Sequence, residues 1–221
     1  MGRDNGAMAK TPAQRIKKHG AKAAVPQHYL PPVVNPSTRS PQKAQNNSNT
    51  IVIAGVVATL FLFWYVHVLT PTQLTQLTGG LPMPDSLMGG FDGAYIEHLR
   101  SAMDADTRGQ LNFVHKTAGT LFPLILGFTW LLLVGTNVSG KALRWALWAT
   151  PLLFVPVRLA GNVAIDSMLE AGRLDAGQVA LASGLTVAGW VLLVLSLLAG
   201  IAAVFLGRRK APRPVAASSG E

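Results

Sequence analysis

The 221-residue sequence contains no cysteine and few charged residues. Without cysteine, these residues form no disulfide bonds and contain neither a thiolate metal ligand nor a cysteine nucleophile. Charged residues make up 13% of the chain and hydrophobic residues 49%, whereas about 25% charged residues is typical of soluble domains. Acidic residues are the scarcest class, with 10 Asp and Glu against 19 Lys and Arg. This composition indicates an integral membrane protein.

Four apolar runs dominate the sequence, at residues 51–69, 117–136, 143–165 and 179–206. A hydrocarbon core about 30 Å thick is crossed by roughly 20 apolar residues in a helix, so each run predicts a transmembrane helix. The predicted fold is therefore all-α, an integral membrane four-helix bundle. Its three parts are a polar basic N-terminal tail at 1–50, the bundle at 51–207 and a basic C-terminal tail at 208–221.

The positive residues predict the orientation of the spans. Eight of the 19 Lys and Arg residues precede residue 51, and Lys141 and Arg144 lie between the second and third spans. The other two connections are acidic or balanced in charge. Because Lys and Arg concentrate on the cytoplasmic side, both termini are predicted to be cytoplasmic. The basic tails then favour contact with anionic lipid headgroups rather than nucleic acid.

The N-terminal tail is rich in Pro, Gln, Asn and Ser, and it should be disordered in isolation. It contains one apolar island between prolines, formed by Tyr29, Leu30, Val33 and Val34. Such an island suits an extended segment that docks on a partner protein. The alternative is a plain linker.

The connection between the first two spans has two parts. Residues 70–90 are rich in Pro and Gly and predict turns, and Asp92 is placed to cap an amphipathic helix at 93–105. We expect this helix at the outer surface, either on the bundle or in the headgroup layer. Residues 107–109 should then turn the chain into the second span.

Three polar residues share one face of the third span, namely Arg158, Asn162 and Asp166, at i, i+4 and i+8. An arginine at this depth must snorkel outward or pair with a carboxylate. Asp166 and acids of the first outer loop, such as Asp104 or Asp106, are the expected partners. The functional interpretation is a site for an anion, a lipid headgroup or another subunit, and the alternative is a structural ion pair.

Three histidines, His67, His98 and His115, fall near the outer ends of the first two spans. Together with Glu97 they would allow a metal or haem site if they met at one level. Their spacing contains no motif that requires such a site, and Lys116 beside His115 would oppose a bound cation. We therefore predict no catalytic residue, no metal site and no cofactor, and retain His67 and His115 as candidate cofactor ligands.

Short strings in the last three spans resemble a loosely defined group of uncharacterised bacterial four-span membrane proteins. These strings are 122–124 (Phe-Pro-Leu), 161–163 (Gly-Asn-Val) and 182–186 (Ala-Ser-Gly-Leu-Thr). The group has an aspartate before the Phe-Pro pair and an Asp-x-x-Glu-Asn motif in the third span. Gly119, Arg158 and Gly161 replace these acids here, and Asn162 alone matches. The resemblance covers roughly residues 95–200 and implies a four-helix bundle in the bacterial plasma membrane.

Three classes of function are compatible with the sequence. The long basic tail and the lack of catalytic groups favour an accessory or assembly subunit of a larger membrane complex. A small transporter or channel would need polar groups at the bilayer midplane, where the first, second and fourth spans offer only Thr59, Thr129 and Ser196. A lipid-active enzyme at the outer interface would use the three histidines with Glu97 and Asp104.

Overall fold

The computed structural model describes residues 41–210 and the isolated Lys17. Within that part, the chain is helical between its turns and contains no strand. Four helical segments are long and apolar enough to cross a membrane, namely Asn49–Leu77, Ala105–Asn137, Lys141–Glu170 and Ala176–Arg209. The prediction of an all-α protein with four candidate spans is thus confirmed. The apolar island of the N-terminal tail (Tyr29, Leu30, Val33, Val34) lies outside the described residues.

The first span is a composite of α1 (Pro41–Trp64), a π-helical turn (Tyr65–Leu69) and α2 (Thr70–Leu77). The span thus begins at Asn49, close to the predicted limit at 51, but it continues to Leu77, past the predicted limit at 69. Helix α2 accommodates Pro71 because this proline lies in its first turn, where proline is tolerated. The π-helical turn precedes it, and the Thr70 N–H bonds the Tyr65 carbonyl.

Residues 78–104 connect the first two spans and are called the cap segment below. They contain a 3₁₀ turn (Pro84–Ser86) and α3 (Gly93–Ala102). Asp92 caps α3 as predicted, accepting the Tyr95 N–H at 2.8 Å. The helix ends at Ala102 rather than 105 because Met103 is extended and Asp104 caps the next helix. That helix, α4 (Ala105–Lys116), contains residues 107–109, so the turn predicted there is wrong.

The remaining spans are α4 with α5 (Ala118–Asn137), then α6 (Lys141–Glu170) and α7 (Ala176–Lys210). A local break at Thr117 separates α4 from α5. Helices α6 and α7 make the most extensive contact, and α5 packs against both. Residues 47–210 belong to one compact unit.

The cap segment packs on the spans. Met83, Ile96 and Leu99 are fully buried and belong to a core that also contains Ile165 and Met168 of α6. Polar contacts reinforce this docking: the Phe91 N–H donates to Ser183 Oγ at 2.9 Å, the Tyr95 hydroxyl donates to the Pro82 carbonyl at 2.5 Å, and Arg100 donates to the Ala171 carbonyl. The cap segment therefore covers one end of α6 and α7 and packs against α4.

Candidate functional site

Six polar side chains meet beneath the cap segment and form what we call the buried polar cluster: His67, Asp85, His115, Arg158, Asn162 and Asp166. They come from the π-helical turn, the 3₁₀ turn, α4 and α6. Four of them expose 5% or less of their surface. Buried polar groups are costly unless they are paired, so their partners determine what this cluster can do.

Arg158 pairs with Asp85, a carboxylate of the cap segment. Its Nη2 donates to Asp85 Oδ2 at 3.4 Å, and Arg158 is only 4% exposed, so the side chain does not snorkel to the surface. Asp85 belongs to the first outer loop, as expected for a partner of Arg158. The acids that were predicted by name, Asp104, Asp106 and Asp166, do not pair with Arg158. Asp104 and Asp106 are exposed at the start of α4, and the Asp166 carboxylate is bonded to His115 instead.

His115 lies between two carboxylates. Its Nδ1 is 2.6 Å from Asp166 Oδ1, and its Nε2 is 3.8 Å from Asp85 Oδ2. Asn112 extends this contact towards the surface, because its Nδ2 donates to Asp166 Oδ2 at 3.1 Å and to Glu170 Oε1 at 3.4 Å. The histidine thus links the cap segment to α6.

Asn162 joins α6 to α5 at Gly119. The Asn162 Nδ2 donates to the Gly119 carbonyl at 3.1 Å. A Cβ on residue 119 would lie 3.0 Å from that same Nδ2 and 3.1 Å from the Val114 carbonyl oxygen. A side chain larger than glycine at residue 119 would therefore crowd the Asn162 amide and the Val114 carbonyl.

His67 is enclosed by aromatic rings. Its ring stacks on the Phe63 ring, with the two ring centroids 4.9 Å apart. It meets the Phe122 and Trp190 rings edge to face, with ring centroids 5.0 Å apart in both cases. It also lies close enough to Asp85 and Arg158 to interact with them electrostatically. The imidazole thus forms the apolar-facing border of the cluster.

The three histidines and Glu97 do not meet at one place, because Glu97 and His98 are exposed on α3, whereas His115 is buried and His67 is half-buried within the spans. The apolar face of α3 docks on the protein, so its polar face necessarily points away from the cluster. Among residues 41–210, no group of three or more Asp, Glu or His side chains is arranged to hold a metal ion.

Asp85 remains ionised although it is buried. Burial by itself would raise the pKa of the Asp85 carboxyl, but hydrogen bonding and positive charge from His115, together with the Arg158 guanidinium, lower the pKa well below its ordinary value. The Trp190 Nε1–H donates to the Asp85 backbone carbonyl at 3.1 Å and fixes the 3₁₀ turn on α7. Asp85 is therefore a charged anchor of the cap segment.

Several buried atoms of the cluster have no hydrogen-bond partner in the protein: His67 Nδ1, Asp85 Oδ1, His115 Nε2, Arg158 Nε and Asn162 Oδ1. Unpaired buried polar atoms are rare in proteins, and each costs about 1–3 kcal/mol. Their convergence at one place marks the cluster as the candidate functional site.

Asp85 is the member of the cluster that sequence reasoning missed. It lies in a Pro-Met-Pro-Asp string whose local pattern predicts only a turn, and nothing in that pattern indicates burial. Comparisons of the chain with protein-family models, curated proteins and solved structures found no match. The resemblance to bacterial four-span proteins therefore stays a prediction carried by the sequence strings alone.

Proposed function

We propose that this protein is a multi-pass membrane protein that serves as an accessory or assembly subunit of a larger membrane complex. The observation that carries the proposal is the weak coverage of the first span. Only 11% of its most apolar stretch is buried, against 56%, 39% and 33% for the second, third and fourth spans. The first span is thus available to bind another protein in the plane of the membrane.

One face of α1 is suited to such binding. Ile53, Val57, Leu60, Phe61 and Trp64 are each between 48% and 64% exposed, and we call them the first-span face. Their spacing of i, i+4, i+7, i+8 and i+11 places them along one side of the helix, as in the seam of a coiled coil. A transmembrane helix of a partner subunit would pack along this seam.

The interior of the bundle favours a binding protein over a transporter. The buried Thr59 hydroxyl donates to the Gly55 carbonyl at 2.8 Å, and Trp130 donates to the Ser196 carbonyl at 2.5 Å. Between these groups and the buried polar cluster lies an apolar core that contains Val66, Phe122 and Phe154. Within the described spans, the polar groups thus form no continuous path across the bundle.

A lipid-active enzyme is the other alternative, but the buried polar cluster gives this function little support. His115 has the short bond to a carboxylate that orients a catalytic imidazole, but it is 2% exposed. Its second nitrogen faces Asp85 rather than a serine or threonine hydroxyl. This arrangement suits a structural or regulatory ion pair better than attack on a lipid.

The proposed location is the bacterial plasma membrane, with both termini in the cytoplasm. The basic residues at 1–50 and 208–221 would then face the anionic inner leaflet, as the distribution of Lys and Arg predicts. Tyr29, Leu30, Val33 and Val34 would contact the partner from the cytoplasmic side.

The test is crosslinking within the native membrane, followed by purification in mild detergent. A photoreactive residue at Val57 or Leu60 should crosslink to a discrete partner, and the protein should migrate with that partner as a large complex. Leu198 and Phe205 are the matched controls, because they are exposed apolar residues of α7 outside the proposed face. Equal crosslinking from all four positions would indicate random encounters and contradict the proposal.

Two variants separate the contributions of span and tail. Replacing Val57 and Leu60 with tryptophan should detach the protein from the complex, and deleting residues 1–45 should do the same while leaving the four spans inserted. If the purified protein alone turns over a lipid or moves a solute, the accessory function is wrong.

A further inference from the structure

We propose that the buried polar cluster is a proton-binding site, in which one proton carried by His115 holds the cap segment on the spans. The inference is independent of the accessory function above, because it concerns the isolated protein. It rests on the positions of the His115 ring nitrogens, on the charges around them and on their connection to the surface.

Both ring nitrogens of His115 face carboxylates. Nδ1 lies 2.6 Å from Asp166 Oδ1, and Nε2 lies 3.8 Å from Asp85 Oδ2. An ionised carboxylate only accepts hydrogen bonds, and a neutral imidazole has a single N–H. In either neutral tautomer, one nitrogen lone pair would therefore point at a carboxylate. Only the doubly protonated imidazolium makes both contacts attractive.

The charges of His115 and its neighbours sum to zero when His115 carries one added proton. Helix α6 contributes Asp166 and Arg158, and the cap segment contributes Asp85. Two carboxylates against one guanidinium leave a net negative charge, which the imidazolium cancels. In a medium of low polarity an uncompensated charge is costly, so the cluster favours the protonated state.

The other elements packed around His115 bring few ionisable groups. The π-helical turn contains His67 and the half-buried Tyr65, while α2, α5 and the half of α7 that meets the cap segment contain no ionisable residue. Lys116 and Glu170 are exposed at the ends of α4 and α6, with Glu170 reached through Asn112. The remaining charged residues of α3 and α4 are on the protein surface or, like Arg100, bonded to a backbone carbonyl.

The proton has one route to solution, through Asp166. The Asp166 side chain is 12% exposed, whereas that of His115 is 2% exposed. A proton leaving Nδ1 passes to the Asp166 carboxylate and from there to water beside Asn112, and uptake follows the reverse path. At the other border, His67 is enclosed by Phe63, Phe122 and Trp190. The site is thus a terminal proton site and not a channel.

Loss of this proton should loosen the cap segment. Asp85 would retain only Arg158 as a positive partner, at 3.4 Å, while the unbalanced charge of Asp166 remained in the same cluster. The cap segment sits over the ends of α6 and α7 through Asp85 and the buried Met83 beside it. Its opening would therefore expose Met83.

A cysteine-labelling experiment on the purified full-length protein tests this proposal, helped by the absence of native cysteine. Met83→Cys places the reporter thiol at a fully buried position, and Met88→Cys, at a position that is 63% exposed, is the matched open control. The ratio of the two labelling rates cancels the intrinsic pH dependence of the thiol. In parallel, ¹⁵N NMR of labelled histidines follows the protonation of His115 in the same detergent.

We expect an imidazolium at pH 7 and a labelling ratio that rises as His115 loses its proton at higher pH. His115→Gln should raise the ratio at pH 7 on the order of a hundredfold, since it removes a member of a buried ion pair. It should also abolish the rise with pH. His98→Gln, which removes an exposed histidine, should change neither.

A neutral His115 at pH 7 would overturn the proposal. So would a labelling ratio that stays constant while His115 titrates in the protein with its native histidine, a measurement that does not depend on the folding of the His115→Gln variant. Loss of the partner complex has no bearing on either readout, so failure of the accessory function is distinguishable from failure of the proton site.

Discussion

At the scale of the residue, Arg158 has the most demanding environment in the described chain. Its guanidinium is almost fully buried, and Asp85 is the carboxylate within ion-pair distance. Removing one member of a buried pair costs more than the pair contributes, because the remaining charge is left without compensation. The Arg158–Asp85 contact therefore makes a sharp prediction about single and double substitutions.

Arg158→Leu should lower the free energy of unfolding by about 3–5 kcal/mol. The double variant Arg158→Leu/Asp85→Leu should lose less, because no unpaired charge remains in the interior. SDS-induced unfolding in mild detergent, followed by circular dichroism, measures both. Arg173→Leu is the control, since Arg173 is exposed and surface substitutions usually change stability by less than about 0.5 kcal/mol. An Arg158→Leu protein as stable as this control would refute the buried pair.

Gly119→Ala should destabilise the protein by about 1–3 kcal/mol, as overpacked core substitutions do. The new methyl group would lie 3.1 Å from the Val114 carbonyl oxygen, which cannot move without distorting α4, and would press on the Asn162 amide. Gly184→Ala is a matched control on α7, because no atom lies within 4 Å of its Cβ position. The same unfolding assay compares the two, and equal stabilities would show that α4, α5 and α6 can relax around residue 119.

At the scale of the element, two consecutive N-caps shape the chain before the second span. Asp92 begins α3, and Asp104 begins α4 by accepting the Thr107 N–H at 2.7 Å. The same Thr107 hydrogen bonds lower the pKa of the Asp104 carboxyl. Because the residue between the helices, Met103, is extended and buried, the chain changes direction there without a glycine.

Asp92→Ala should cost about 1 kcal/mol, the usual value for a lost N-cap. The first turn of α3 would fray, and the backbone amides near Tyr95 should exchange with deuterium faster than in the unchanged protein. Asp106→Ala is the control, because Asp106 is an exposed residue of the first turn of α4 and not its cap. Identical exchange rates in α3 before and after the Asp92 substitution would contradict the importance of this cap.

At the scale of the whole molecule, the bundle is covered unevenly. The second span is the best covered by protein, and the first span is the least. A helix covered on few sides contributes little to the stability of the bundle, so its retention in the fold fits a role in binding another protein. The orientation of the bundle determines which partners can reach each end.

The predicted orientation places both termini in the cytoplasm and the cap segment outside. In intact cells, a membrane-impermeant thiol reagent should label Met88→Cys, whose position is exposed on the cap segment. It should not label a cysteine at residue 20. A phosphatase reporter that is active only outside should be inactive when fused after Glu221. Activity of that fusion would reverse the orientation inferred from Lys and Arg.

The sequence by itself determined the four spans, because length and apolar composition are local properties that each segment carries alone. The Asp92 cap could likewise be predicted from the sequence, since its hydrogen bond joins residues only three positions apart. The C-terminal limit of the first span could not be predicted, because the proline-containing string after residue 69 is compatible with either a turn or the start of a new helix.

The partners within the buried polar cluster were decided by the tertiary structure alone. Asp85 and Arg158 are 73 residues apart, and His115 and Asp166 are 51 residues apart. Helical periodicity placed Arg158, Asn162 and Asp166 on one face, but it carried no information on which acid the cap segment would bring to Arg158. That choice depends on how the 3₁₀ turn of the cap segment docks on α6 and α7, a matter of packing between distant elements that no local pattern encodes.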